Sequence, residues 1–132
     1  MKKKLQITIF LAAVLLFEWT STSRAEQIYP LDPFLIESTA YCYGETTADG
    51  SKVHPGIVAA RKEWLGLTAI LYKVKPDGSI GEIIGLYEIK DTGGDYRIKN
   101  GTCIDIYIPD EDACIEYGRQ QVYIQLIAAE GK

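Results

Sequence analysis

An aspartate interrupts an otherwise apolar, strand-like segment, Cys103-Ile104-Asp105-Ile106-Tyr107. Side chains alternate between the two faces of a strand, so Asp105 points away from the face that carries Ile104 and Ile106. A solvent-facing aspartate on the strand is one interpretation of this pattern. In the other, the carboxyl group lies in a partly apolar cleft, where burial raises its pKa and lets it donate a proton near neutral pH. Asp105 is therefore a candidate general acid.

A second candidate segment, Asp91-Thr92-Gly93-Gly94, places a carboxylate at the end of a strand and before two glycines. Glycines adopt unusual backbone torsions and let a ligand approach the chain closely, so the segment could bind a substrate. An ordinary turn is the alternative. Asp-Thr-Gly also opens the catalytic loop of aspartic proteases, in which two acids share one site. Lys90 disfavours that interpretation, because those proteases have an apolar residue before the aspartate.

Short runs of β-branched and aromatic residues, separated by Gly, Asp and Pro, predict the strands that must position these two segments. The turn chemistry of Pro76-Asp77-Gly78-Ser79 predicts a hairpin between the third and fourth strands. A helix over 110–117 is indicated by its acidic start and by Gly118 at its end. This pattern indicates an all-β fold, a six-stranded barrel with one short helix, rather than a sandwich. The predicted strands are Leu35–Tyr43, Gly56–Arg61, Leu67–Val74, Ile80–Lys90, Cys103–Ile108 and Gln121–Ile127.

The first 25 residues have the organisation of a secretory signal peptide, with a basic start, an apolar run over 7–17 and the small-residue site Ser23-Arg24-Ala25. The apolar run is much shorter than the roughly 20 residues that a membrane-spanning helix needs, so a cleaved signal is favoured over an anchor. We predict a signal peptide over 1–25, a lead-in segment over 26–34 and one barrel domain over 35–132. The mature chain is expected to begin near Glu26 and to be secreted, with no transmembrane segment.

Removal of the signal takes away four positive charges and one negative charge, so the formal charge of −4 becomes −7. An acidic surface repels phosphate backbones, which argues against nucleic acid as a partner. The three cysteines, Cys42, Cys103 and Cys114, all lie in the part predicted to be exported, where disulfides persist. No CxxC occurs and His54 is the single histidine, so we predict no metal site and no cofactor. We predict a Cys103–Cys114 bond, because Cys103 begins the Asp105 strand and Cys114 lies on the helix that follows.

Several short motifs, taken in order along the chain, resemble the three-aspartate (3D) domain family. They are Thr39-Ala40-Tyr41, Thr47-Ala48-Asp49-Gly50, Gly56-Ile57-Val58-Ala59, Leu65-Gly66, Asp91-Thr92-Gly93-Gly94, Ile104-Asp105-Ile106-Tyr107, Tyr117-Gly118-Arg119 and Val122. That family is a double-psi β-barrel similar to the catalytic barrel of the membrane-bound lytic transglycosylase A group, and it occurs in secreted muralytic proteins. The resemblance implies a double-psi barrel over nearly the whole mature chain and peptidoglycan glycan strands as its partner.

The resemblance also implies roles for individual residues. Asp105 matches the acid assigned as the catalytic acid/base, and Asp91 matches the second family aspartate, which lines the same groove. Arg61 stands where the family has its first aspartate. The expected substrate contacts are Thr92, Gly93 and Gly94, together with Tyr87, Tyr107 and Trp64, whose rings could offer faces to sugars; for these aromatic residues, packing in the barrel wall is the alternative.

The activity that the resemblance implies is lytic cleavage of the β-1,4 bond between N-acetylmuramic acid and N-acetylglucosamine by a monomer, giving a 1,6-anhydro product. Because Arg61 replaces one family aspartate, a non-catalytic glycan-binding barrel is the alternative. A small extracellular structural or interaction protein is a third interpretation, since a fold alone does not determine function.

Overall fold

Six strands close into a barrel in the computed structural model, which describes residues 29–128. The predicted signal peptide and the expected start near Glu26 lie outside the described residues. Two short α-helices and one turn of 3-10 helix, Lys62–Trp64, connect the strands. The elements are β1 (Phe34–Tyr41), β2 (Ile57–Ala59), β3 (Leu67–Val74), β4 (Ile80–Asp91), α1 (Tyr96–Lys99), β5 (Cys103–Tyr107), α2 (Glu111–Tyr117) and β6 (Gln120–Ala128).

The strand order around the barrel is β1-β5-β2-β4-β3-β6. β1 pairs with β5, and β2 with β4, in parallel, whereas the other four pairs are antiparallel. The pairing is internally symmetric. If β1, β2 and β3 are exchanged with β4, β5 and β6, respectively, the same six strand pairs result. The β1–β2 connection passes across β5 and the β4–β5 connection passes across β2, so the two halves interlock. The predicted all-β, six-stranded double-psi barrel with few helices is confirmed.

Alternating apolar side chains from all six strands fill the barrel interior. In β5, for example, Ile104 and Ile106 are buried in this core, and Asp105 and Tyr107 lie on the outer face. Each fully buried aliphatic side chain stabilises the fold by about 1.5–3 kcal/mol relative to an exposed one. The core residues of the strands are Ile36, Val58, Ala69, Leu71, Ile89, Ile104, Ile106, Val122, Ile124 and Leu126.

The predicted β3–β4 hairpin and the predicted helix, α2, are both present in the structure. In the β3–β4 hairpin, Gly78 has a φ of +89° and the Lys75 N–H donates to the Ser79 carbonyl at 2.8 Å. In α2, the Asp110 carboxylate accepts from the Ala113 N–H at 3.3 Å, and Gly118 ends the helix with a φ of +59°. The hairpin and the helix are thus confirmed, and the ends of all six strands agree with prediction to within two residues.

The α1 helix was not predicted, because four residues are too few for a 3.6-residue apolar period to appear. Asp95 caps it by accepting from the Arg97 N–H at 2.8 Å. Its buried residue, Ile98, packs against Gly93, where an added Cβ would lie 2.8 Å from the Ile98 Cδ1 atom. The glycine therefore lets the 91–94 segment and α1 approach each other closely.

None of the helices within residues 29–128 is long and apolar enough to cross a membrane.

Candidate functional site

The outer face of β1 and β5 positions the first predicted acid. Asp105 is directly opposite Thr39 in the parallel β1–β5 pair and opposite Ala59 in the antiparallel β2–β5 pair. It lies between two neighbouring strands and is half-buried. Thr39 and Tyr41 share this outer face with Asp105 and Tyr107, because residues two apart on a strand point the same way.

The surroundings of the Asp105 carboxyl raise its pKa. Burial has the largest effect, and the negative charges of Asp91 and Asp95 act in the same direction. The Thr39 hydroxyl donates a hydrogen bond to Oδ1 at 3.0 Å, which lowers the pKa but does not cancel the effect of burial. A carboxyl group in this environment holds its proton to higher pH than a solvated aspartate, as a general acid must.

Asp91 lies near Asp105 across β2. Ala59 is opposite Asp105 on one side and opposite Asp91 on the other, so two strand spacings, on the order of 10 Å, separate the two aspartate Cα atoms. The Oδ1 atom of Asp91 accepts from the Ala48 N–H at 3.1 Å and the Thr92 N–H at 2.9 Å, and Oδ2 accepts from the Tyr41 hydroxyl at 3.2 Å. Because both oxygens accept hydrogen bonds, Asp91 holds Tyr41 and the backbone of Ala48 and Thr92 in place.

Tyr41 lies beside both acids, and its part in the site was not predicted from the sequence. Burial raises the pKa of its phenol well above the usual range, and the neighbouring charges of Asp91 and Asp105 raise it further. The phenol therefore stays neutral and donates to Asp91. Its ring contacts that of Tyr107, with centroids 5.3 Å apart and planes at 57°. The available signal was the two-residue spacing of Thr39 and Tyr41, which puts both on the face of Asp105.

A pocket of about 320 Å³ opens next to Asp91. Thr92 and Gly93 line it, together with Lys62, Glu63 and Lys99. Both lysines are exposed, and they bring two positive charges to this edge of the site in a chain whose formal net charge is −4. Gly94 follows on the exposed surface. The predicted contact segment thus forms one wall of a cationic pocket. The sequence did not predict this pocket, because residues 62 and 99 are far apart along the chain.

Two of the three predicted aromatic contacts pack against the barrel. Trp64 is 4 % exposed and makes an edge-to-face contact with Phe34, with ring centroids 6.0 Å apart. This placement favours the alternative for Trp64, packing in the barrel wall. Tyr87 also packs partly against the core, and burial raises the pKa of its phenol. Only Tyr107 of the three contacts the Tyr41–Asp91 group directly, through the ring of Tyr41.

Arg61 forms an ion pair with Glu63 at 3.1 Å, and its guanidinium lies 5.8 Å from the centre of the Trp64 ring. The carboxylates of Asp49, Glu63 and Asp95 each have partners of their own. Asp49 accepts from the Thr47 and Ser51 hydroxyls, which lower its pKa, and so holds its own loop together. The Glu63 carboxylate is ion-paired with Arg61, and the Asp95 carboxylate caps α1.

The strand geometry disfavours the predicted Cys103–Cys114 pairing; Cys42, Cys103 and Cys114 are all free thiols in the structure. Cys103 begins β5, whereas the helix carrying Cys114 follows the opposite end of that strand. Among residues 29–128, no group of three or more His, Cys, Asp or Glu side chains is arranged to hold a metal ion.

The sequence matches no family model and no curated protein. The function must therefore be argued from the geometry of the site.

One prediction tests the electrostatics of Asp105 without any assumption about activity. Replacing Thr39 by Val removes the hydroxyl that stabilises the ionised carboxylate, so the Asp105 pKa should rise further above its ordinary value. Thr39→Ser keeps the hydroxyl and is the matched control, with a pKa close to that of the wild type. Carbon-13 NMR titration of the carboxyl group measures the difference. An unchanged or lower pKa in the Val variant would show that Thr39 does not set the charge state of Asp105.

Proposed function

We propose that this chain is an exported cell-wall protein of the 3D type that cleaves peptidoglycan glycan strands as a lytic transglycosylase. The observation that carries the proposal is the Asp105 carboxyl, which is half-buried on the outer face of the barrel, with a raised pKa and Asp91 and Tyr41 next to it. A single proton-carrying acid supported by fixed polar groups is what this reaction requires.

The reaction uses Asp105 twice. Its neutral carboxyl donates a proton to the oxygen that bridges N-acetylmuramic acid and N-acetylglucosamine, and the bond to muramic C1 breaks. The resulting carboxylate then accepts the proton of the muramic C6 hydroxyl while that oxygen bonds to C1 and forms the 1,6-anhydro ring. Water takes no part, so the second carboxylate of a hydrolytic glycosidase is not needed. Activity should fall as the pH rises through the raised pKa of Asp105, because the initial acid must be protonated.

Asp91 supports this chemistry as a positioning residue. It holds the Tyr41 phenol and the backbone of Ala48 and Thr92 in place, and its charge helps to keep the Asp105 pKa high. Ordered donors around a reacting group lower the cost of reorganisation during the reaction.

Two pockets flank this group, which supports an extended rather than a compact ligand. The cationic pocket with Lys62 and Lys99 adjoins Asp91, and a second pocket of about 430 Å³ is lined in part by Tyr41 and Tyr43. Glycan strands of peptidoglycan carry carboxylates on their lactyl groups or peptide stems, and ammonium groups at one end of a groove can bind them. An uncharged glycan such as chitin would gain nothing from the lysines.

Arg61 favours a second candidate function, a barrel that binds glycan strands without cutting them. Its guanidinium is paired with Glu63 and supplies a cation where the family has an acid. A cation there suits contact with an anionic polymer but transfers no proton, since arginine remains protonated in proteins.

Incubation of the purified chain with purified peptidoglycan tests both functions. The lytic proposal predicts soluble muropeptides that end in 1,6-anhydro-muramic acid, identified by mass spectrometry. Fragments with ordinary reducing ends would mean that water had attacked C1, which contradicts a lytic mechanism. Retention of the chain on insoluble peptidoglycan without soluble fragments would support the binding function instead, and absence of both would exclude the two candidates.

A further inference from the structure

The strand register places two cysteines at the same end of the barrel. β1 and β5 run parallel with Tyr41 opposite Tyr107, and the Ile108 N–H donates to the Tyr41 carbonyl at 2.9 Å. Cys42 follows Tyr41 directly, and α2 begins at Glu111, three residues after Ile108. The end of β1 therefore lies alongside the helix that carries Cys114.

Side-chain contacts bring the two thiols into one pocket. The Tyr43 hydroxyl donates to the Glu111 carboxylate at 3.2 Å, which joins the chain after β1 to the first turn of α2. Cys42 and Cys114 both line the pocket of about 430 Å³ between these segments. Burial raises the pKa of the Cys114 thiol, and the neighbouring Cys42 thiol raises it further. Both side chains are partly exposed, so reagents in solution can reach them.

The third cysteine cannot take part. Cys103 is buried at the start of β5, with its thiol 3.9 Å from the Thr39 hydroxyl and 3.4 Å from the Ile104 carbonyl. The far end of β5, where the helix segment begins, is about 13 Å away along the strand. A disulfide requires Cα atoms roughly 4.4–6.8 Å apart.

We propose that Cys42 and Cys114 form a disulfide that ties α2 to the end of β1, beside the Tyr41 ring of the candidate site. The oxidant is a small-molecule or protein disulfide. The thiolate of one cysteine attacks that disulfide, giving a mixed disulfide and one released thiol, and the second thiolate then displaces the other half. The protein loses two protons and two electrons, and the oxidant becomes two thiols. Cys103 remains a buried thiol.

The pairing is tested by oxidising the purified chain in a glutathione redox buffer, alkylating the remaining thiols and mapping the peptides without reduction. We expect one cross-linked pair of peptides, containing Cys42 and Cys114, with a mass lower than that of the two thiol peptides by two hydrogen atoms. Cys103 should be alkylated only after the chain is denatured. A cross-link that contains Cys103, or alkylation of all three thiols after oxidation, would overturn the proposal.

Melting temperatures provide an independent readout that does not depend on enzymatic activity. Reduction should lower the melting temperature of the wild type by roughly 10 °C, because the cross-link closes a long loop. Cys42→Ser and Cys114→Ser should each abolish this response to reductant, whereas Cys103→Ala should keep it even if the variant melts lower overall. A response to reductant that persists in either serine variant would contradict the pairing.

Discussion

Asp105→Asn should lower the rate of peptidoglycan cleavage by about 100- to 10,000-fold, because Asn keeps the size and polarity of Asp but cannot transfer the proton. Asp91→Asn should slow the reaction less, since Asp91 acts through Tyr41 and through the pKa of Asp105. Asp112→Asn, an exposed change at the start of α2, is the matched control and should leave the rate unchanged. Release of anhydro-muropeptides, followed over time, measures all three rates.

The melting temperature of Asp105→Asn distinguishes a loss of catalysis from a loss of the folded structure. The pKa of Asp105 is raised in the folded state, so the stability that its protonated form contributes is complete in acid and is lost as the pH rises through the folded pKa. The amide that replaces the carboxyl group carries no charge at any pH and avoids this loss. At neutral pH, Asp105→Asn should therefore melt at or above the wild-type temperature, and the difference should vanish in acid. An inactive variant that melts far below the wild type would instead be misfolded, and full activity in a folded variant would remove Asp105 from the mechanism.

Leu71→Ala should lower the free energy of unfolding by about 2–5 kcal/mol, because it leaves a cavity where the interior is closely packed. Leu71 is 0 % exposed, between Gly85 of β4 and Ile124 of β6 in the strand register. Leu86→Ala on β4 is the matched control, since Leu86 is 62 % exposed and its loss should cost less than about 1 kcal/mol. Urea denaturation with a common m-value gives both differences. Similar losses for the two leucines would contradict the assigned interior of the barrel.

The elements with strong local signals followed from the sequence. Alternation of β-branched and polar residues predicted the strands, the 76–79 turn predicted the hairpin, and the acidic start with Gly118 predicted the second helix. These signals work because backbone torsion preferences, capping and side-chain alternation act within a few residues of one another. The alternation in β5 also placed Asp105 on the face opposite Ile104 and Ile106, and the structure confirms that placement.

Only the tertiary structure decided which distant residues meet. The strand crossovers bring Asp91 and Asp105 to opposite sides of Ala59, and they bring Tyr41 to Asp91. In the folded barrel Trp64 is buried in the core, and the parallel β1–β5 register puts Cys103 at the end opposite to Cys42 and Cys114.

No local pattern encodes these contacts, because they depend on which strand pairs with which and in what register. Sequence proximity suggested Cys103 and Cys114 as partners, whereas the parallel β1–β5 register aligns Cys42 with the helix after β5. The sequence by itself therefore determined the strands, the turns and the outward-facing acid. The pairing of strands determined the surroundings of that acid, because contacts between distant segments of the chain form only when the barrel closes.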